Sequence, residues 1–295
     1  MNAFVSGKPL VKAGWLRALL YLLALVFASS GLLAGFVFAS YKNNANGQGV
    51  KELMKGNYPP LMVLMFFVLT LIITYVFRRW IDRRSFISLG LETQGHGREA
   101  IAGAALGTFI VGSSCLICQL TGHLKWMDIL FDPKSLFLAF GTILLSAFYE
   151  ELIFRGYLLS NLMNSLPQWP ALIITSVLFM AFHWDSSSLF PLLNVFLMGL
   201  ITGLVYLHTR TLWFPLFFHL AWKFMAGPVL GFYNDPSSQS LLQATVQGNE
   251  NITGGSSGLE GSLILTVVSL VSAVALFLIL RQKISPKFQP VPDQI

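Results

Sequence analysis

The sequence predicts an all-α, polytopic membrane protein of about eight transmembrane helices enclosing an intramembrane polar site. Three observations carry that prediction. Of the 295 residues, 55% belong to the AVILMFWYC set and only 11% are charged, with a mean hydropathy of +0.67. The apolar residues fall in long uninterrupted runs, most of them near the ~20 residues that cross the hydrocarbon of a bilayer. Polar and turn-forming segments punctuate the runs. This composition excludes a disordered chain, a collagen-like chain and an ordinary soluble domain. The net charge of +6 then reads as basic cytoplasmic loops, not as a nucleic-acid surface.

Eight windows emerge in order: 15–39, 60–77, 100–121, 135–160, 169–184, 188–207, 211–232 and 262–280. The first closes at the polar stretch Lys42-Asn43-Asn44-Ala45-Asn46-Gly47. Its apolar run of about 25 residues is longer than a usual signal-peptide core, so it is expected to be a retained anchor. The second ends at Arg78, Arg79, Asp82, Arg83 and Arg84. The third holds both cysteines, Cys115 and Cys118, whose i,i+3 spacing puts them on one helix face, where they are read as packing residues. A turn at Leu166-Pro167-Gln168 separates the fourth window from the fifth, and Asp185-Ser186-Ser187-Ser188 separates the fifth from the sixth. The stretch 234–260 carries Gly, Ser, Gln and Asn but no Lys or Arg, and is expected to be a flexible outer loop. It contains a formal glycosylation sequon, Asn251-Ile252-Thr253. The expected organisation is 1–134 as helices one to three, 135–232 as the core of helices four to seven, and 233–295 as the outer loop and helix eight.

Charge chooses the orientation. With the N-terminus inside, the cytoplasmic segments hold Lys8, Lys12, Arg17, Arg78, Arg79, Arg83, Arg84, Arg98, Arg210, Arg281, Lys283 and Lys287. The opposite side holds Lys42, Lys51, Lys55, Lys125 and Lys134. That asymmetry satisfies the positive-inside rule. A multi-pass protein of the cell (inner) membrane with both termini cytoplasmic is expected.

The fourth window contains Glu150, Glu151 and Arg155, three charges in six residues. Charges in mid-bilayer are costly and mark function or pairing. Glu151 and Arg155 are i,i+4 on one helix face, in the favourable Glu-first order. Glu150 is rotated ~100° away, which leaves one carboxylate without that partner. His183 lies on the fifth window and His219 on the seventh. At 1.5 Å per residue, Glu150, His183 and His219 come to roughly 15, 20 and 12 Å from the inner surface, a single layer. Lys223 is i,i+4 from His219 and joins it. Gly199 and Gly203 form a G-x-x-x-G that lets another helix approach closely. A carboxylate and a neutral imidazole activate water as a general base, while a second His or Lys stabilises an oxyanion. Alternatively, Glu150, His183 and His219 hold a divalent metal, although no H-E-x-x-H occurs.

These residues resemble the CPBP family of intramembrane proteases, which comprises the type II CAAX prenyl endopeptidases and bacterial abortive-infection and bacteriocin-processing proteins. The motif E-E-x-x-F-R-G is matched by Glu150, Glu151, Phe154, Arg155 and Gly156, and F-x-x-x-H by Phe179 and His183. A third block is matched by Phe196, Gly199, Gly203, Thr211, Leu212, Trp213, Pro215 and His219. The resemblance covers about residues 135–225. It implies that Glu150 and His183 activate water, that Glu151 pairs with Arg155, and that His219 binds the scissile carbonyl together with an Asn four residues later. This chain departs there, with Lys223 in that place. Lys223 either donates to the oxyanion or pairs with Glu150 and quenches it.

The expected function is therefore an integral membrane endopeptidase that hydrolyses a peptide bond within or near the bilayer by Glu/His-activated water, without a metal or other cofactor. The rival readings are a non-catalytic scaffold or bacteriocin-immunity-like protein and, further off, a transporter. The expected partners are the lipid bilayer and a peptide or protein substrate, membrane-anchored ones included, and not nucleic acid.

Overall fold

The structure, a computed structural model, describes residues 7–43, 58–184, 189–232 and 240–281. The Asp185–Ser188 turn, most of the Lys42–Gly47 stretch and the basic tail with Lys283 and Lys287 lie outside the described residues. Each of the eight apolar windows is helical. We number these helices α1 (Gly14–Asn43), α2 (Tyr58–Val76), α3 (Gly97–Leu120), α4 (Pro133–Glu151), α5 (Gln168–Phe182), α6 (Leu189–Thr209), α7 (Trp213–Phe224) and α8 (Leu263–Leu280). Among the described residues six helical stretches are long and apolar enough to span a bilayer: Gly14–Phe38, Pro60–Ile81, Gly97–Leu120, Pro133–Leu162, Leu189–Thr209 and Gly255–Leu280. The fifth and seventh windows form shorter helices of 15 and 12 residues. At 1.5 Å per residue α5 reaches only ~22 Å, and it stops at His183.

Local chemistry sets several helix ends. Asp132 caps α4 through its carboxylate, which accepts from the Lys134 amide, and Pro133 occupies the first turn, where its missing N–H costs nothing. The Ser135 hydroxyl also donates to Asp132 and holds its carboxyl below the usual range. Three helices continue into π turns, at Phe77–Ile81, Leu152–Leu159 and Met225–Val229. The middle one carries α4 through to Leu162.

Small residues bring the helices together. A Cβ at Gly103 of α3 would lie 2.4 Å from the Phe214 carbonyl of α7, and one at Gly107 would lie 2.6 Å from that of Phe218. On α6, the positions of Gly199 and Gly203 face Ser176 and Leu172 of α5, so the G-x-x-x-G does admit a second helix closely. Cys115 and Cys118 are buried free thiols on α3, in keeping with a packing role.

The stretch 240–260 is not the flexible loop that its composition predicts. Leu242–Val246 forms a strand (β2) antiparallel to Leu124–Ile129 (β1), with Leu124 opposite Val246 and Ile129 opposite Leu242, and an irregularity between Trp126 and Asp128. A helical turn at Glu250–Thr253 and a 3-10 stretch at Gly255–Gly261 follow. Gly258 adopts φ +62°, and a Cβ there would come within 1.8 Å of the Phe232 carbonyl, so the fold needs glycine at this position. The cap is tied to the bundle where Trp222 Nε1 donates to Glu260 Oε1 (3.1 Å) and Asn194 Nδ2 to the Glu260 carbonyl (2.7 Å). Glycine and serine hid this order because they carry no apolar period.

At the opposite end, two residues counted as loop charges are buried. Arg17 Nη1 and Arg78 Nη1 donate to Asp82 at 3.1 and 3.0 Å. Tyr157 OH and Asn161 Nδ2 donate to the same carboxylate at 3.2 and 3.3 Å. Tyr21 stacks on Tyr157, with ring centroids 4.0 Å apart. This clasp fastens α1 and α2 to the extended end of α4.

Candidate active site

Glu150 and Glu151 are the last two residues of regular α4, immediately before the backbone widens into its π segment. Interruptions of this kind recur at functional sites. Both carboxylates are buried, and their directions differ as the helix geometry predicts.

Glu151 Oε1 accepts from Arg155 Nη1 at 3.0 Å. Arg155 also donates to the Gly199 carbonyl on α6 (3.2 Å), and its guanidinium lies 4.3 Å from the Phe179 ring centroid. The cation is thus enclosed by a carboxylate, a carbonyl and an aromatic face, which together replace the water it has lost. Phe179 contacts Phe154 edge-on at 5.0 Å, and the His183 and His219 rings at 4.6 and 5.8 Å. One aromatic ring therefore braces the site residues of three helices.

Glu150 faces the other way. Its Oε2 lies 3.1 Å from His183 Nε2 and 3.5 Å from His219 Nε2. Lys223 Nζ donates to Oε1 at 3.2 Å and approaches Oε2 at 3.4 Å. The structure brings Glu150, His183, His219 and Lys223 together from α4, from the end of α5 and from α7. Only 4% of the Glu150 side chain is exposed, against 21% for His183 and for Lys223. His183 and Lys223 are thus the partly exposed members of the group, and His219 is fully buried.

The remaining ring nitrogens fix the proton arrangement. His183 Nδ1 lies 3.0 Å from the Phe179 carbonyl, and His219 Nδ1 lies 2.9 Å from Glu151 Oε1. A carbonyl and an Arg-paired carboxylate only accept, so each Nδ1 is the donor. In a neutral imidazole the Nε2 is then bare. His183 Nε2 and His219 Nε2 thus both face the Glu150 carboxylate, from the end of α5 and from α7.

Sequence reasoning assigned Glu151 to Arg155 alone and did not find its second role, the orientation of His219. The two are 68 positions apart on different helices, and no local spacing encodes that contact. Gly199 was read only as a packing residue, yet its carbonyl is a partner of Arg155. The block Thr211, Leu212, Trp213 positions the start of α7. The Thr211 hydroxyl bonds to the Glu99 carboxylate, the Leu212 amide to the Gly90 carbonyl at 2.8 Å, and the Trp213 indole to the Glu92 carbonyl.

Residues 132–225 match the family described as type II CAAX prenyl endopeptidase Rce1-like. An uncharacterized 24.3 kDa protein of Escherichia coli is 29% identical over 155 residues, which cover 49% of this chain and 68% of that protein. No solved structure matches the chain.

Proposed function

We propose that the protein is an integral membrane endopeptidase using water activated by Glu150 and His183, a reading supported by the match of residues 132–225 to the type II CAAX prenyl endopeptidase Rce1-like family. The observation that carries this reading is the 3.1 Å contact between Glu150 Oε2 and His183 Nε2, where ionisable groups of three helices converge on one buried carboxylate. A water bound there loses a proton to the Glu150–His183 pair as its oxygen attacks the peptide carbonyl. The C–N bond then breaks, and the same pair returns the proton to the leaving amine. The oxyanion is stabilised by the Lys223 ammonium, with His219 beside it in the place that the family resemblance gives to a carbonyl-binding group. Glu151 keeps His219 in the required orientation through Nδ1.

The donor set supports a mechanism without metal. Glu150, His183 and His219 are zinc-type ligands, but both imidazoles point at a single carboxylate oxygen, and the Lys223 ammonium already contacts that carboxylate. A divalent ion held by Glu150 would be pressed against this second cation. Purified protein is expected to contain no stoichiometric zinc and to resist chelators. One metal per chain, lost in His183→Ala, would overturn the mechanism.

A second reading rests on the same 3.2 Å Lys223–Glu150 contact. In a non-catalytic scaffold of this fold, the lysine would neutralise the base permanently. The test of function is a comparison of protein N-termini in membrane fractions bearing wild type or Glu150→Gln. Termini present only with wild type support the peptidase. Their absence, with both proteins folded, favours the scaffold. The substrate class we propose is a membrane-anchored peptide or protein, hydrolysed in the cell membrane with both termini of the enzyme cytoplasmic.

A further inference from the structure

We propose that Lys8, Lys12 and Arg83 form a binding site for the headgroup of an anionic phospholipid, at the corner where the N-terminal segment meets the turn after α2. The segment is held there by the Leu10 amide, which donates to the Ile81 carbonyl at 2.9 Å. Gly7 makes room for Arg83. A Cβ on Gly7 would lie 3.0 Å from Arg83 Cδ and 3.5 Å from its Nη1. Arg83 itself adopts φ +54°, an uncommon conformation for a side-chain-bearing residue. Lys8, Lys12 and Arg83 are exposed, and among the described residues none of the three makes an ion pair.

Charge balance beneath them points to an anion. Asp82 is the only acidic residue in 7–17 and 77–91. It is fully buried and already accepts from both Arg17 and Arg78. Two guanidiniums on one carboxylate leave an uncompensated positive charge at Asp82, the residue next to Arg83 in the chain, and Arg17 Nε is buried without a hydrogen-bond partner. The flanks are apolar and aromatic, with Leu10, Trp15 and Trp80 exposed, as befits the headgroup level of a bilayer. An anion bound here must therefore lie in the plane of the membrane surface, which is where a phospholipid carries its phosphate.

The test is native mass spectrometry of the full chain in detergent, with phosphatidylglycerol or phosphatidylcholine added. The expected result is preferential retention of phosphatidylglycerol. Each neutralised cation should weaken it about fivefold, and Lys8→Gln, Lys12→Gln and Arg83→Asn together about a hundredfold. Asn tolerates the left-handed backbone at position 83. Arg83→Lys keeps the charge and should retain binding. Unchanged thermal unfolding of the triple variant in phosphatidylcholine micelles would show that the fold is intact; if that variant does not fold, the single substitutions carry the test. Equal binding of the two lipids by wild type, or unaltered phosphatidylglycerol binding by the variants, would overturn the proposal. Neither result depends on peptidase activity.

Discussion

A carboxylate as buried as Glu150 needs a counter-charge or a proton, and Lys223 supplies the charge from one turn beyond His219. The neutral Asn implied by the family resemblance would leave that charge uncompensated, so Lys223 changes the electrostatics as well as the hydrogen bonding. If the ammonium swings from Glu150 to the oxyanion, Lys223→Ala should lower turnover by something like ~10²-fold and Lys223→Asn should recover much of it. Turnover of Lys223→Asn above wild type would instead identify Lys223 as a mask on the base. The paired glutamates separate in a second measurement. Glu151 serves Arg155 and His219 together, and removing one partner of a buried pair costs roughly 3–5 kcal/mol. Glu151→Gln and Arg155→Ala should therefore lower the unfolding midpoint and the folded yield. Glu150→Gln should leave the yield near wild type and abolish hydrolysis, because the partly exposed Lys223 can turn to water. The reverse order of yields would exchange the two roles. Helix arithmetic alone distinguished Glu150 from Glu151, because ~100° per residue is a local property. The partners that Glu150 gains from α5 and α7 were legible as a shared depth and through the family resemblance, which joined Glu150 to His183 and left Lys223 as its alternative partner, but not as contacts.

Among elements, α7 matters most to the site, since it carries both His219 and Lys223, and its placement rests on α3. The α3 backbone lies against α7 at Gly103 and Gly107, where any side chain meets a carbonyl that cannot rotate away. Gly103→Val should destabilise the protein by about 1–3 kcal/mol or more and displace His219, so that activity falls further than folded yield. At Gly112, on the same helix, a Cβ would meet nothing within 4 Å, and Gly112→Val should leave both unchanged. Equal effects at the two positions would show that helix propensity, not the α3–α7 contact, governs the response. All eight helices were visible in the sequence because apolar length needs no tertiary information. The outer cap was not. Its strand β2 is five residues long and gains its order from pairing with β1, which lies far back in the chain, before α4. The Asp82 clasp was hidden for a different reason. An acidic residue among four arginines reads as a solvated loop, and only the arrival of Tyr157 and Asn161 from the extended end of α4 shows that its carboxylate is buried.

For the whole molecule, the distribution of charge predicts how the bundle stands in the membrane. The Asp82 clasp and the exposed Lys8, Lys12 and Arg83 gather at one end. The β1–β2 cap, whose stretch 240–260 has no Lys or Arg, lies beyond the opposite ends of α3 and α7. Moving the basic end across the bilayer would put Arg17, Arg78, Arg79, Arg83 and Arg84 on the outer side, against the strong retention of Lys and Arg in the cytoplasm. The clasp adds a constraint of its own, because α1, α2 and the end of α4 meet there and must translocate or remain together. A reporter fused after residue 295 and one inserted between Gly248 and Asn249, on the exposed edge of the cap, should therefore report opposite sides, with the C-terminal one cytoplasmic. The same side for both would mean that α8 does not cross the bilayer between them and would remove the eight-span arrangement. Opposite sides with the cap cytoplasmic would keep the arrangement and invert it, placing the Lys8–Lys12–Arg83 corner on the outer leaflet.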